Sequence, residues 1–367
     1  MSKTEALAKR GVSIWLDDLS RERLNTGSLE ELIKTSNVVG ITTNPSIFHK
    51  AISAAGSYDS QIRELARVGV QAEEAVKAMT TDDVRAALDI FRPIFDATDG
   101  VDGRVSIEVD PRLAHDLETT VTQAIELAHL VDRPNVMIKI PATRQCLPAI
   151  TEVLAAGISV NVTLIFSVER YAAVAMAFKK GLEEALKAGR DISQIHSVAS
   201  FFVSRVDSSV DPQLEAIGSD EALALRGRTA VANSQLAWKV FEESFSDETW
   251  RKLAAAGAHK QRPLWASTSV KNPELPDTFY VDSLAYAPSV NTMPEATLKA
   301  VADHSDAGLY PGASNDAAEV ISQIEGLGIS LDQVTDKLET DGVAQFVTAW
   351  QDLLDDVEMR LKKSLKK

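Results

Sequence analysis

NVMIKIPAT, residues 135–143, sets one lysine between two isoleucines in an otherwise apolar run. Side chains alternate across a strand, so Val136, Ile138 and Ile140 share one face while Met137 and Lys139 share the other. The same division recurs on either side of it. In VSIWLD (12–17), Ile14 and Leu16 oppose Ser13, Trp15 and Asp17; in RVSIEV (104–109), Val105, Ile107 and Val109 oppose Arg104, Ser106 and Glu108. ISVNVTLIF (158–166) sets Val160, Val162 and Leu164 against Ser159, Asn161 and Thr163. An open sheet covered on both sides prefers two apolar faces, whereas a closed barrel lets one face of every strand converge on its axis. The polar faces here need such a shared interior.

Four further β-branched or aromatic runs, VVGITT (38–43), HSVASFFV (196–203), PLWAST (263–268) and TFYVDSL (278–284), bring the count to about eight. The crossovers between runs are long enough for helices, which predicts a parallel sheet. The expected fold is therefore an α/β (β/α)8 TIM barrel with additional helices. Chemistry in such a barrel belongs at the carboxyl ends of the strands, and Asp17, Glu108, Lys139 and Thr163 all fall near the ends of their runs.

Residues 1–11 form a short lead-in, and residues 47–103 an enlarged helical crossover containing DSQIRELARV and TDDVRAALDIFRPIF. DPRLAHDLETTVTQAIELAHLV (110–131) suits one helix against a sheet, and RGRTAVANSQLAWKVFEESF (226–245) another. Val343, Phe346, Val347, Trp350, Leu353, Leu354 and Val357 make one apolar stripe on a C-terminal helix spanning about 341–362. Such a stripe is expected to pack on the main domain. No internal repeat, low-complexity tract or Gly/Ser linker divides the chain, so residues 1–367 are expected to form a single domain.

A net charge of −15 and a pI near 4.9 disfavour nucleic acid and anionic membranes as partners. An anionic ligand would need a local cationic pocket. The single cysteine, Cys146, excludes an intramolecular disulfide, reads as a buried small residue, and suits a reducing cytosol. MSKTEALAKRGV lacks the apolar core of a signal peptide, and no later run approaches about 18 apolar residues, so a cytoplasmic location is expected. The basic ending KKSLKK reads as a solvated helix end. Histidines 49, 115, 129, 196, 259 and 304 are scattered without metal-site spacing and read as surface or helix-packing residues. The sequence has neither a Walker P-loop nor a dinucleotide fingerprint; Gly308 and Gly312, in DAGLYPGASND, suit a turn before a capped helix. No metal and no cofactor are expected. A homo-oligomer stays open.

Burial of Lys139 among apolar residues disfavours its ammonium form, and a neutral amine can form an imine with a ketone, which permits C–C cleavage. A structural lysine paired with Asp17 or Glu108 is the plainer alternative. Asp17 and Glu108 could divide the proton transfers that imine formation and cleavage require. Thr163, Asn161 and Ser200 could orient water and substrate hydroxyls, or simply make internal hydrogen bonds.

GITTNPSIF (40–48), SIEVD (106–110), VMIKIPAT (136–143) and NVTLIFS (161–167), in this order, resemble the strand-end motifs of transaldolases. The resemblance covers most of the chain and is strongest from Gly11 to Arg205. It implies a cofactor-independent, class I aldolase-like barrel acting on sugar phosphates in the pentose phosphate pathway. Such enzymes exchange sedoheptulose 7-phosphate and glyceraldehyde 3-phosphate with fructose 6-phosphate and erythrose 4-phosphate. By the same resemblance, Lys139 is the Schiff-base lysine and Asp17 the carboxylate that takes the C4 hydroxyl proton. Glu108 and Thr163 handle a catalytic water, while Asn44, Asn161 and Ser200 hold the dihydroxyacetone hydroxyls. In IWLDDL, parity favours Asp17 over Asp18, which is expected to cap or begin the next helix. Arg205 in SFFVSRVD matches a phosphate-binding arginine; Ser267 and Lys271, in WASTSVKNP, stand where many members have a serine and an arginine. The rivals are a fructose 6-phosphate aldolase-like lyase and a barrel that binds sugar phosphates without turnover. Relatives of the first kind tend to be shorter and to carry glutamine at the place of Glu108 and tyrosine near Phe202.

Overall fold

Eight strands among the described residues of the computed structural model run parallel and close on themselves in chain order. They are β1 (Val12–Leu16), β2 (Val38–Ile41), β3 (Arg104–Glu108), β4 (Val136–Pro141), β5 (Val160–Ile165), β6 (Ser197–Phe202), β7 (Arg262–Ala266) and β8 (Ser289–Met293). β1 pairs with β8, Ile14 opposite Asn291, and so completes the ring. The structure describes residues 2–54, 56–306 and 316–365. The turn expected around Gly308 and Gly312 lies outside the described residues, as do the last two lysines of the basic ending. Among the described residues no helix is long and apolar enough to cross a membrane.

Parity sorts the side chains as a barrel requires. Ile14, Val105, Ile138 and Val160 join the shell between strands and helices, while Trp15, Met137, Val198, Leu264 and Val290 fill the barrel itself. Each such side chain, fully buried, contributes about 1.5–3 kcal/mol before chain entropy is counted. Leu164 departs from the expectation that it shares the outer face of Val160. Its φ of 59° lies in the left-handed region, and the β5–β6 register slips between Val162 and Ile165. The extra residue of this bulge turns Leu164 into the barrel cluster. There it meets the C-terminal helix at Gly342, where a Cβ would come within 3.1 Å of Leu164 Cδ2.

The eighth strand is not the one expected. TFYVDSL, though rich in β-formers, contains a short helix, Phe279–Ser283, in which Thr278 Oγ1 donates to Asp282 Oδ2 at 2.6 Å. Residues four apart meet across a helical turn but stand about 13 Å apart in a strand, so this bond selects the helix. Tyr280 adds a hydrogen bond to Asp207 at 2.8 Å. The true strand, SVNTM, is passed over in the sequence because its polar side chains find partners only after closure. Thr268 Oγ1 donates to Asn291 Oδ1 at 2.9 Å, and the Thr292 hydroxyl meets that of Thr42 at 2.6 Å.

Helices fill the crossovers. Between β2 and β3 lie Pro45–Ser53, Asp59–Arg67 and Ala72–Ala97, and the lead-in carries Lys3–Lys9. The helix expected from residue 110 starts only at Leu117, after a 3-10 turn at Pro111–Leu113, because Asp116 caps it by accepting from Thr119 N at 3.1 Å. The C-terminal helix, Leu331–Ser364, begins ten residues before the expected 341, where Ser330 accepts from Gln333 N at 3.3 Å. Ion pairs from Glu339 to Arg170 (2.8 Å) and from Arg360 to Asp59 (2.6 Å) fasten it across the barrel mouth and the crossover helices. Cys146 is buried. Of the histidines, His196 departs most from a surface reading: it is buried and stacked on His259 at 4.4 Å.

Gly40 faces Trp15 across the β1–β2 pair, and a Cβ added there would stand 2.5–2.7 Å from three indole atoms. Trp15 is fully buried and its Nε1 donates to Asp102 at 3.3 Å, so the ring has nowhere to retreat. Gly40→Ala is expected to cost about 1–3 kcal/mol of stability by overpacking, read as a lower urea midpoint at unchanged slope.

Candidate active site

A cavity of about 170 Å³ opens at the carboxyl ends of the strands, and Asp17, Asn44, Lys139, Thr163, Ser200, Arg205, Ser267 and Lys271 line it. At its base Lys139, 4% exposed, points inward from β4, with Nζ donating to the Thr43 carbonyl at 3.0 Å. Glu108 Oε2, from the neighbouring β3, stands 3.3 Å from the same nitrogen, and the Phe346 ring lies over it with its centroid at 5.5 Å. The isoleucines flanking Lys139 face outward, so its polar surroundings come from other strands. Parallel pairing sets Lys139 opposite Glu108 on one side and Asn161 on the other.

Burial pushes the Glu108 carboxyl up to about 7; Lys139 opposes that shift and Asp17 reinforces it. Burial likewise raises Asp17, with Lys139 and the hydrogen bond from Thr42 Oγ1 (2.7 Å) working against it. One lysine thus serves two carboxyl groups. Asp18 points elsewhere, pairing with Arg23 at 2.6 Å. The expectation that it caps the next helix is overturned: Ser20 caps Arg21–Thr26 by accepting from Arg23 N. Ser20 can do so because it immediately precedes the first helical residue.

Thr163 is buried and its hydroxyl has no hydrogen-bond partner among the described residues. Asn161 lies beneath the cavity rather than on its wall. Its amide nitrogen donates to Ser106 Oγ at 2.9 Å and its oxygen accepts from Ser200 Oγ at 2.6 Å. That bond leaves the Ser200 oxygen free to accept from a ligand hydroxyl. Asn44 caps the Pro45–Ser53 helix by accepting from Ile47 N at 3.0 Å, which fixes its side chain at the rim.

Two cations stand at the outer end. Arg205 stacks on Phe202 at 5.4 Å and donates to Gln345 Oε1 at 2.9 Å, while burial lowers its pKa. Ser267 has a φ of 56°, a left-handed conformation that costs a non-glycine residue about 1 kcal/mol or more, and its hydroxyl lies 3.0 Å from that of Ser204. Lys271 completes the cationic side. In a chain of net charge −15, this is the local attraction an anionic ligand needs.

A family model described as transaldolase/fructose-6-phosphate aldolase matches residues 14–357. The chain belongs to the transaldolase/fructose-6-phosphate aldolase family. It is 58% identical over 360 residues to transaldolase 1 of Streptomyces avermitilis, covering 98% of this chain and 95% of that one. With the transaldolase of Thermobifida fusca it shares 58% over 362 residues, 98% of each chain. With that of Mycolicibacterium smegmatis it shares 56% over 358 residues, 97% of this chain and 96% of the other.

In this member of the transaldolase family the cavity is also walled by side chains that sequence reasoning passed over. Thr42, Ser269, Thr292 and Phe346 also line the cavity. Parity could have found Thr42, which continues the inward face of Gly40. Thr292 was hidden with the misread β8. Phe346 carries no signal in sequence beyond its place in an apolar stripe.

Proposed function

We propose that the protein catalyses the transaldolase reaction, moving a dihydroxyacetone unit between the ketose phosphates sedoheptulose 7-phosphate and fructose 6-phosphate and the aldose phosphates glyceraldehyde 3-phosphate and erythrose 4-phosphate. The observation that carries this reading is the buried Lys139–Glu108 pair, 3.3 Å apart, beside a cavity shared with Asp17 and Thr163. Lys139 passes its ammonium proton to Glu108, 3.3 Å away, and attacks the donor ketone carbon as the free amine, and the carbinolamine loses water to give an imine. Asp17 takes the C4 hydroxyl proton as the C3–C4 bond breaks, and the bond electrons pass into the imine to leave a three-carbon enamine on Lys139. The acceptor aldehyde captures that enamine, and hydrolysis frees the new ketose. Glu108 and Thr163 handle the water; Asn44 and Ser200 orient the dihydroxyacetone hydroxyls, and Asn161 positions Ser200 by accepting from its hydroxyl at 2.6 Å. Retention of the enamine distinguishes a transferase from a lyase, and the Phe346 ring over Lys139 helps exclude water.

Borohydride reduction with fructose 6-phosphate, followed by peptide mapping, is expected to put a three-carbon adduct on Lys139. Adduct on another lysine would sink the scheme. Free dihydroxyacetone released equally fast with and without erythrose 4-phosphate would instead favour the aldolase-like lyase, against which Glu108 itself speaks.

Arg205, Ser267 and Lys271 are proposed to hold the phosphate. Replacing the Arg205 fork by a point charge, Arg205→Lys, is expected to raise KM for fructose 6-phosphate about 10- to 100-fold, the loss of roughly 1.5–3 kcal/mol from a charged hydrogen bond. Turnover of unphosphorylated fructose should stay unchanged in the same variant; an equal loss there would refute the assignment. With this function go a single domain over residues 1–367 and a cytoplasmic location, the latter supported by the acidic balance and the lone Cys146.

A further inference from the structure

A second cavity, of about 140 Å³, lies beside the first. Glu108 lines this one and Lys139 does not; Lys139 lines the first and Glu108 does not; Asn44 borders both. Glu108 therefore stands in the wall between two chambers, touching Lys139 on one side and the second chamber on the other.

The contents of that chamber can be argued from its walls. Its cations already have carboxylate partners, Arg112 with Glu73 at 2.7 Å and Lys77 with Glu74 at 2.9 Å. No spare charge invites an ionic ligand. One buried polar atom of a lining residue, Trp350 Nε1, has no hydrogen-bond partner among the described residues, while the Glu108 carboxylate has Lys139 Nζ 3.3 Å from Oε2. Water is the small molecule that can donate to a carboxylate and accept from an indole N–H together. A single water needs roughly 10–15 Å³ of such space, so the chamber has room for several.

The geometry points to this second chamber as a water port for Glu108, supplying and draining the water of imine chemistry from behind while sugar phosphate fills the front cavity. The inference rests on the Schiff-base reading of Lys139. During hydrolysis Glu108 takes a proton from a port water; the resulting hydroxide bonds to the imine carbon, and the C=N electron pair moves to nitrogen, which is protonated. Collapse to the ketone breaks the C–N bond and returns Lys139 as the free amine. Dehydration of the carbinolamine runs the same exchange backwards and sends its water into the port. The front cavity can then stay closed around the enamine while each turnover releases and takes up one water.

Plugging the port from opposite walls tests this. Thr80→Phe and Leu127→Phe fill it with rings, whereas Thr80→Val keeps its volume. Each variant is run with fructose 6-phosphate and erythrose 4-phosphate in water enriched in oxygen-18, and early sedoheptulose 7-phosphate is assayed for label at its carbonyl. The wild type and Thr80→Val are expected to incorporate solvent oxygen fully. The plugged variants should retain oxygen from the donor, because the water just released cannot escape before it is reused, and their kcat should fall at least about ten-fold with little change in KM. If one plugged variant fails to fold, the other decides. Full incorporation in a folded plugged variant overturns the port, whatever its kcat. A wild type that forms no adduct on Lys139 overturns the Schiff-base reading beneath it instead.

Discussion

Lys139→Ala is expected to lower kcat by roughly 10⁴-fold or more, since removal of a covalent nucleophile abolishes the pathway rather than slowing one step of it. Among the described residues no other lysine can take over, because Lys271, the one other lysine of these on the cavity wall, belongs to its outer, cationic side. The same substitution strips Asp17 and Glu108 of their shared counter-charge, the chief influence that opposes the burial shift of each. Both carboxyl groups should then titrate still higher than in the wild type. A carboxyl raised above its unfolded value contributes stability that is present below the unfolded pKa and is lost as pH rises through the folded one. Lys139→Ala should therefore be more stable near pH 5 than near pH 8, relative to the wild type. Urea unfolding at the two values checks the second claim and a coupled assay the first. Activity within a hundred-fold of the wild type would remove Lys139 from the centre of the mechanism.

The faces of β1, β3 and β4 were legible because strand parity is a local property: Val105 and Glu108 must point apart whatever the rest of the chain does. The fold followed, since polar faces on several parallel strands need a common interior. Parity failed where the backbone left the regular strand. The bulge at Leu164 inserts a residue that no hydrophobic pattern announces, and its inward turn makes sense only against Gly342, far along the chain. Likewise β8 could not be read from SVNTM, whose polar residues are satisfied by Thr42 and Thr268 from distant segments. TFYVDSL was misread for the converse reason: its β-propensity loses to a buried polar cluster around Asp207 and Asp282.

The candidate site shows the same limit. Lys139, Asp17 and Glu108 stand at strand ends and could be brought together by parity alone. Which of them faces which chamber depends on side chains contributed by helices. Phe346 and Trp350 lie on one stripe of the C-terminal helix, yet the first lines the front cavity and the second the rear one. Periodicity reports that a helix face is covered; it does not report what covers it.

Glu108→Gln separates the water chemistry from substrate binding. The amide keeps the shape of the side chain but cannot shuttle a proton, so kcat should fall about 10²- to 10⁴-fold, the usual range for a lost general acid–base. KM for fructose 6-phosphate should stay within a few-fold, because Glu108 does not itself line the substrate cavity. The pH dependence gives a sharper test. A carboxyl held near 7 is half ionised at neutral pH and can act as acid in dehydration and as base in hydrolysis. Wild-type kcat/KM should accordingly bend near pH 7, and that bend should vanish in Glu108→Gln. Stability should report the same group. With its folded pKa raised from 4.5 to about 7, Glu108 contributes stability fully present below pH 4.5 and lost as pH rises through about 7. Replacing it by glutamine should therefore flatten the stability profile by about one proton across that window, a slope change of roughly 1.4 kcal/mol per pH unit at its steepest. A variant that keeps both the kinetic bend and the full slope would mean that another group, Asp17 first among them, titrates there, and that Glu108 is no more than the ion-pair partner of Lys139.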